Sequence, residues 1–232
     1  MNNISIATFN IHDFYNSDME ETDDKIIDII NQYDIIALQE VYNHYKLEKI
    51  KKNRSWNFNR NTLTLSKYPL DQLDIGNNTK ERYNISIIHT PGMDLCVVNL
   101  HLNYKNENIR LKELNNILKK AKLHTDNYQS ILLGDFNALT KNDYNDKKWI
   151  DIHKIREKGK WELPVHQLTD AINKEWNDSG KHDYHSTSRY DTRVDYIYTK
   201  NIDVKSYDVI NMIPNISDHN LVNISFNNSY CF

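Results

Sequence analysis

Four apolar runs of this chain end on polar residues able to do metal or acid–base chemistry: Ile6–Asn10, Ile35–Glu40, Val97–His101 and Ile131–Asn137, the last carrying Asp135 and Asn137. Two further runs begin on such residues: Arg193–Tyr198 with Asp195 inside it, and Leu221–Ile224, which follows Ser217, Asp218 and His219. If strands of the second kind run antiparallel to the first, every one of these ends meets on one rim. Asn10, Glu40, His101, Asp135, Asn137, Asp195, Asp218 and His219 then form one cluster. Charge at a buried strand end is costly unless it is paired or metal-bound, so a shared site accounts for all of them together.

The residue types indicate the chemistry. Glu40 and Asn10 are hard oxygen ligands of the kind Mg2+ prefers, with water and a substrate phosphate completing the octahedron. Asp135 and Asn137 lie two apart and would point the same way from an extended segment. One can orient an attacking water while the other donates to a phosphate oxygen. His219 can act as a general base if a carboxylate fixes its tautomer, and Asp195 is the expected partner, with Arg193 as a competitor for that carboxylate. Asp218 and His219 are adjacent, so they face one site only from an irregular turn. His101 can donate a hydrogen bond to the phosphate or protonate the leaving oxygen.

The elements that would position these residues are legible as short runs rich in β-branched and aromatic side chains. Strands are predicted over Ile4–Asn10, Asp34–Glu40, Leu63–Leu65, Ile85–His89, Leu95–His101, Ser130–Leu133, Val194–Tyr198 and Leu221–Phe226; their near-continuous apolarity suggests burial on both faces. Helical spacing covers Thr22–Tyr33 and Asn108–Leu123, with weaker helices over Asp143–Lys158 and around Thr169–Trp176. Strands grouped with fewer helices imply an α+β fold, two packed sheets flanked by helices.

A length of 232 residues suits one domain. With 29 basic and 32 acidic residues the net charge is −3, which argues against a cationic nucleic-acid coat but not against a phosphate substrate beside a bound cation. A mean hydropathy of −0.76 is polar for an enzyme, yet the apolar content of 39% is too high for disorder. Two cysteines, Cys96 and Cys231, give neither a disulfide framework nor a zinc site. The absence of a leader pattern or a long apolar span predicts an intracellular, cytoplasmic protein, expected to be a monomer.

The segments Thr8–Asn10 (TFN), Leu38–Glu40 (LQE), Asn99–Leu102 (NLHL), Gly134–Ala138 (GDFNA), Arg193–Ile197 (RVDYI) and Ser217–His219 (SDH) together resemble the endonuclease/exonuclease/phosphatase superfamily, which includes deoxyribonuclease I, apurinic endonucleases, tyrosyl-DNA phosphodiesterases and neutral sphingomyelinases. Each piece alone is weak, but their order and spacing span almost the whole chain. Leu65–Pro69 (LSKYP) resembles a recurrent strand and turn of that family. The resemblance implies a four-layer deoxyribonuclease I-like sandwich and in-line hydrolysis by water, with Mg2+ or Mn2+ as cofactor. It places Asn10 and Glu40 on the metal with Asp218 close by, His101 at the phosphate, and Asp135 and Asn137 around nucleophile and substrate. Asp195 and His219 form the base pair. Apurinic endonucleases carry a tyrosine where this chain has His101, which points to the nuclease I-like, sphingomyelinase-like and tyrosyl-phosphodiesterase-like branches.

Two features compete for attention. His182, Asp183 and His185 resemble a metal cluster, but lie in a polar stretch that reads as a loop. Lys46, Lys49, Lys51, Lys52 and Arg54, followed by Trp56, Phe58 and Arg60, could track phosphates and stack bases; the competing reading is a solvated helix face followed by a strand. Trp149, Trp161 and Trp176 are expected to pack in the core or at its rim. Nucleic acid is the favoured substrate, with a small or lipid phosphate as in sphingomyelinases the alternative; a catalytically dead binding module would have to keep every polar group for nothing.

Overall fold

The computed structural model describes residues 3–73, 82–181 and 185–228 of the chain. Its strands are β1 (Asn3–Asn10), β2 (Ile35–Gln39), β3 (Ser55–Asn59), β4 (Thr62–Ser66), β5 (Leu70–Gln72), β6 (Tyr83–His89), β7 (Asp94–His101), β8 (Gln129–Asp135), β9 (Asn177–Asp178), β10 (Asp195–Lys200), β11 (Val204–Ile210) and β12 (Leu221–Asn227). The α-helices are α1 (Asp23–Gln32), α2 (His44–Ile50), α3 (Glu107–Thr125), α4 (Asp146–Lys158) and α5 (Gln167–Ile172). The strands form two mixed six-stranded sheets, ordered β11-β12-β1-β2-β4-β3 and β5-β6-β7-β8-β10-β9.

Side-chain alternation along the central strands builds four layers. Ile4, Ile6, Ile35 and Ala37 of the first sheet meet Leu95, Val97, Ile131, Leu133 and Ile197 of the second between the sheets. The alternate residues Ala7, Phe9, Ile36 and Leu38 face outward onto Ile26, Ile29 and Ile30 of α1 and Leu47 and Ile50 of α2. On the other side Val98, Leu100, Leu132 and Tyr196 pack on Leu114, Ile117 and Ala121 of α3 and Leu168 and Ile172 of α5. Both faces of these strands are buried, which is why their sequences read as unbroken apolar runs. The fold is the expected α+β sandwich of two sheets flanked by helices.

The departures have local causes. β5, β9 and β11 carry no apolar run to announce them; β11 is a half-exposed edge strand whose bulge between Val204 and Ser206 breaks the two-residue period. The helix expected from Asp143 begins at Asp146 instead, where the Asn145 side chain caps Lys148 N. Thr22 precedes α1 but does not cap it, because its hydroxyl donates to the Ile216 carbonyl at 3.0 Å. Trp176 is buried, Trp149 packs against Leu139, Tyr144, Ile152 and Val194, and Trp161, 48% exposed, packs at the rim on Tyr190 and Gly159. Cys96 is a buried free thiol. Cys231, His182 and Asp183 lie outside the described residues. No helix among the described residues is long and apolar enough to cross a membrane.

One glycine shows why a motif residue is what it is. Gly134 lies opposite Leu100 on the parallel strand β7 at φ 140°, and a Cβ there would overlap the Leu100 carbonyl. The strand that delivers Asp135 can therefore lie this close to β7 only with glycine at that position. Gly134→Ala should destabilise the protein by about 2 kcal/mol or more, read as a lowered midpoint in urea denaturation.

Candidate active site

Strand register brings the chemistry-bearing residues into line. β7 runs parallel to β8 with His101 opposite Asp135, and β10 runs antiparallel to β8 with Asp195 opposite Asp135. In the other sheet Asn10 lies opposite Gln39, the residue before Glu40, and β12 begins at Leu221 antiparallel to β1. The ends of β1, β2, β7 and β8 thus share a rim with the starts of β10 and β12.

Asp135 is the hub. Its Oδ2 accepts from Asn10 Nδ2 at 3.1 Å and lies 3.6 Å from His101 Nε2, which is itself 3.8 Å from Glu40 Oε1. His219 Nδ1 sits 2.8 Å from Asp195 Oδ2, and ligand atoms of Asp135, Asp195 and His219 fall within 4.8 Å of one another. Glu40 and His219 therefore belong to one continuous set of contacts. Asp218 and His219 leave an irregular turn, tied to β1 by the Ser217 hydroxyl, which donates to Asn10 O at 2.8 Å and accepts from His219 N at 3.2 Å. Asp218 faces the site's edge, 3.5 Å from the Arg189 guanidinium and 3.9 Å from His12 Nδ1.

Asn137 does not follow Asp135 along an extended strand. Its φ is 50°, its N–H donates to Asp135 Oδ1 at 2.9 Å, and its side-chain amide donates to Leu102 O at 3.1 Å. The pair is thus organised as a tight Asx turn in place of a shared strand face. Glu40 is likewise left-handed, at φ 58°, so two site residues occupy backbone conformations that cost energy and are held by their surroundings. Arg193 does not compete for Asp195. It is buried with Asp178 and with Asp143 at 3.3 Å, and it donates to Gly180 O at 2.7 Å. Asp195 is instead oriented by the Thr187 hydroxyl, which accepts from Asp195 N at 3.0 Å.

Electrostatics separates the two histidines. Burial opposes charging the His219 imidazole, but the charge and hydrogen bond of Asp195, with Asp135 and Asp218 behind, outweigh it and push the pKa up to about 10. Burial and the Asp195 charge raise Asp135 to about 7, against the opposing pull of His219. His101 moves the other way: burial, with the charges of Arg82 and His219, holds it well below the usual histidine value. Asn61 Nδ2 lies 3.1 Å from His101 Nδ1; with the amide donating, the imidazole proton sits on Nε2, facing Glu40 and Asp135. A neutral imidazole of that tautomer suits a hydrogen bond to phosphate and suits proton delivery to a leaving oxygen poorly. Asn61 itself carried no usable signal in the sequence, because an asparagine after Arg60 in a hairpin reads as an ordinary turn residue.

The donor set fits a hard divalent cation. Glu40, Asp135, Asp195 and Asp218 concentrate negative charge, Asp195 Oδ1 is buried without a hydrogen-bond partner, and Asn10 Oδ1 accepts one bond from His12 N, leaving a lone pair. The Lys46–Arg60 stretch, by contrast, runs through α2 and β3 and ties Lys46, Lys49, Lys51 and Arg54 into the fold. Lys46 is buried beside Glu21 and Asp23, Lys49 pairs with Asp23, Lys51 with Glu48 and the Trp56 ring, and Arg54 donates to carbonyls of Ile30 and Tyr33. Two exposed lysines, Lys105 and Lys160, stand elsewhere. A cleft of about 560 Å³ opens beside His219 and Asn137, lined among others by Tyr104, Lys105, Arg156, Lys160, Trp161 and Tyr190.

The sequence profile of the Endonuclease/Exonuclease/phosphatase family matches residues 7–219. The chain belongs to that family. Its members are phosphoric ester hydrolases and generally depend on a divalent metal, and this chain is a metal-dependent phosphoesterase. Among solved structures it is similar to an endonuclease/exonuclease/phosphatase from Bacteroides vulgatus (TM-score 0.71, 16% identity, 98% of this chain and 99% of that one). It is also similar to truncated Caenorhabditis elegans TDP2 (0.64, 16%, 97% and 97%) and to a mannosyl-6-phosphatase of Bacteroides thetaiotaomicron (0.63, 15%, 95% and 98%). No curated protein matches. At these identities the structural likeness speaks for the family's fold alone.

Both raised pKa values tie stability to pH in metal-free protein. Asp135, raised from 3.8 to about 7, contributes stability that is present below pH 4 and lost as pH rises through 7; His219, raised from 6.5 to about 10, contributes stability lost on the way to 10. The Tm of wild type minus that of Asp135→Asn should therefore fall between pH 4 and 7 in chelator, by thermal denaturation. Mg2+ at a hundredfold excess over its Kd should raise the wild-type Tm by roughly 5–10 °C and the Glu40→Gln Tm by less.

Proposed function

We propose that this chain hydrolyses a phosphodiester in nucleic acid by in-line attack of water, with the His219–Asp195 pair and Asp135 handling the proton. The observation that carries the nucleic-acid reading is the cleft at His219, where cationic Lys105 and Lys160 stand among the aromatic rings of Tyr104, Trp161 and Tyr190. Cations meet phosphates, and flat rings meet bases.

Within the site, Asn10 and Glu40 would hold the cation, with Asp218 at its edge; the hard oxygen donors suit Mg2+ and accept Mn2+. Bound there, the ion supplies positive charge for the phosphate oxygens and draws down the pKa values of neighbouring acids. Asp195 holds His219 by Nδ1, leaving Nε2 for the reacting groups. Before any ion binds, Asp135 has a pKa of about 7 and, once deprotonated, can take the water's proton, whereas His219, pushed up to about 10, keeps its own proton and can donate it to the leaving oxygen. His101, with its Nε2 proton facing Glu40 and Asp135, and Asn137, at the cleft, would hold phosphate oxygens. The charge that develops at phosphorus is then met by groups already oriented before the reaction.

A second reading is a phosphatase on a small or lipid phosphate. It draws on the net charge of −3 and on the printed activity of one fold neighbour, a mannosyl-6-phosphatase. A substrate panel with Mg2+ separates the two: oligonucleotides, sugar 6-phosphates, inositol phosphates and sphingomyelin. Oligonucleotide cleavage should dominate, should stop with chelator, and should lose about 10²–10⁴-fold in kcat in His219→Ala. Turnover of sugar phosphate without any oligonucleotide cleavage would sink the nucleic-acid reading.

A further inference from the structure

We infer that the cleft beside His219 takes an unpaired nucleobase of a single-stranded substrate, stacked on Trp161, so that the bond cut is the one flanking that base. This rests on the nucleic-acid reading above and adds the subsite that selects the strand.

The wall is built in advance. Trp161 follows α4 through a turn in which Gly159 N donates to Ile155 O at 2.9 Å, Lys160 is left-handed at φ 54°, and Trp161 N returns to Arg156 O at 2.9 Å. A Cβ on Gly159 would sit 3.1 Å from the indole, so the ring lies flat against a residue with no side chain to hold it off. Tyr190 meets it edge-on, with ring centroids 5.1 Å apart at 70°. Arg189 pins Tyr190 in turn, donating to its hydroxyl at 2.8 Å. From below, Glu162 accepts from Arg110 of α3, whose Nε donates to Glu107 at 2.9 Å, so the segment after α4 is anchored to a second helix through a buried ion pair. Despite that anchoring, the rings themselves stay open: Trp161 is 48% exposed, Tyr190 50% and Tyr104 62%. Rigid rings half open to solvent stand idle in a monomer's fold and serve a planar ligand well, since little side-chain entropy is lost when it stacks.

The occupant follows from size and charge. A cleft of about 560 Å³ has room for a nucleotide, and a base inside a duplex has both faces covered by its neighbours, so only an unstacked base can offer a face to Trp161. Lys105 and Lys160 flank the rings and suit the phosphates on either side of a stacked base. His219 lines the same cleft, so the base entering it carries its own phosphate to the imidazole.

A single-stranded oligonucleotide with one abasic tetrahydrofuran residue, labelled at one end and digested with Mg2+, reads this directly. Wild type should cut the bond flanking the abasic residue about tenfold less than bonds remote from it on the same strand, the loss expected for one stacked base. Trp161→Ala should flatten that ratio while still cutting, and Trp161→Phe should keep it. Wild type should also cut the intact strand faster than the same strand in a duplex. A ratio of one in wild type, a ratio unchanged in Trp161→Ala, or equal cutting of duplex and single strand overturns the subsite while leaving the nuclease reading intact. Failure to cut any oligonucleotide, with another phosphoester turned over, removes both.

Discussion

The candidate active site depends on a polar cross-link buried between the two sheets. Gln39 Nε2 donates to Asn99 Oδ1 at 2.9 Å and to the Thr8 hydroxyl at 3.0 Å, while Asn99 Nδ2 donates to Leu63 O at 3.1 Å. Glu40 follows Gln39 directly, and His101 lies two residues beyond Asn99. Apolar packing between sheets is non-directional and would tolerate sliding by a fraction of a residue. Amides in the dry interior do not, because each donor left unpaired costs about 1–3 kcal/mol. The Gln39–Asn99 contact thus fixes where Glu40 of one sheet stands relative to His101 and Asp135 of the other.

Given that placement, the protonation pattern follows. Four carboxylates and two imidazoles share one rim, with Asp135, Asp195 and His101 buried in it, and burial opposes charge. The protein resolves this unevenly. His219, next to Asp195 and Asp135, keeps its proton; His101, close to Arg82 and the charged His219, stays neutral; Asp135 sits between and titrates near pH 7. Two histidines of one site are driven in opposite directions by neighbours a few ångströms away. That division suits one imidazole for moving a proton and the other for donating a hydrogen bond. It also leaves a net negative mouth suited to a hard cation.

Most of the fold and the rim was legible because both rest on signals a sequence carries. Buried strands appear as apolar runs, and the polar residue ending each run marks its terminus, so Asn10, Glu40, His101, Asp135, Asp195 and His219 could be placed together before any coordinates. What escaped has a physical reason in each case. Edge strand β11 exposes much of its surface and has no apolar run. The Asp135–Asn137 spacing looks extended until the left-handed Asn137 folds it into a turn. Gln39 and Asn99 were visible inside the motifs, but their pairing across 60 residues of chain is a tertiary fact. A substrate surface on the lysines after Glu40 stayed open beside the solvated-face reading, because the sequence does not show that Asp23 pairs with Lys49 and Glu48 with Lys51.

That last contrast separates chemistry from selectivity. The candidate catalytic groups sit on strand ends held by ladders of backbone hydrogen bonds and by the inter-sheet amides, so their positions are fixed by the core. The aromatic and lysine groups lining the cleft sit on connections: Tyr104 and Lys105 ahead of α3, Lys160 and Trp161 after α4, Tyr190 in a turn joined to His219 through the Ser188 bridge. Connections change without disturbing the sandwich. Here, however, they are not loose. Arg110 and Glu162 bind two of them together, and Ser188 ties the third to the residue after Asp218. Under the proposed reading, a substrate that presses on Tyr190 also presses on the turn bridged to His219, which couples the cleft to that imidazole.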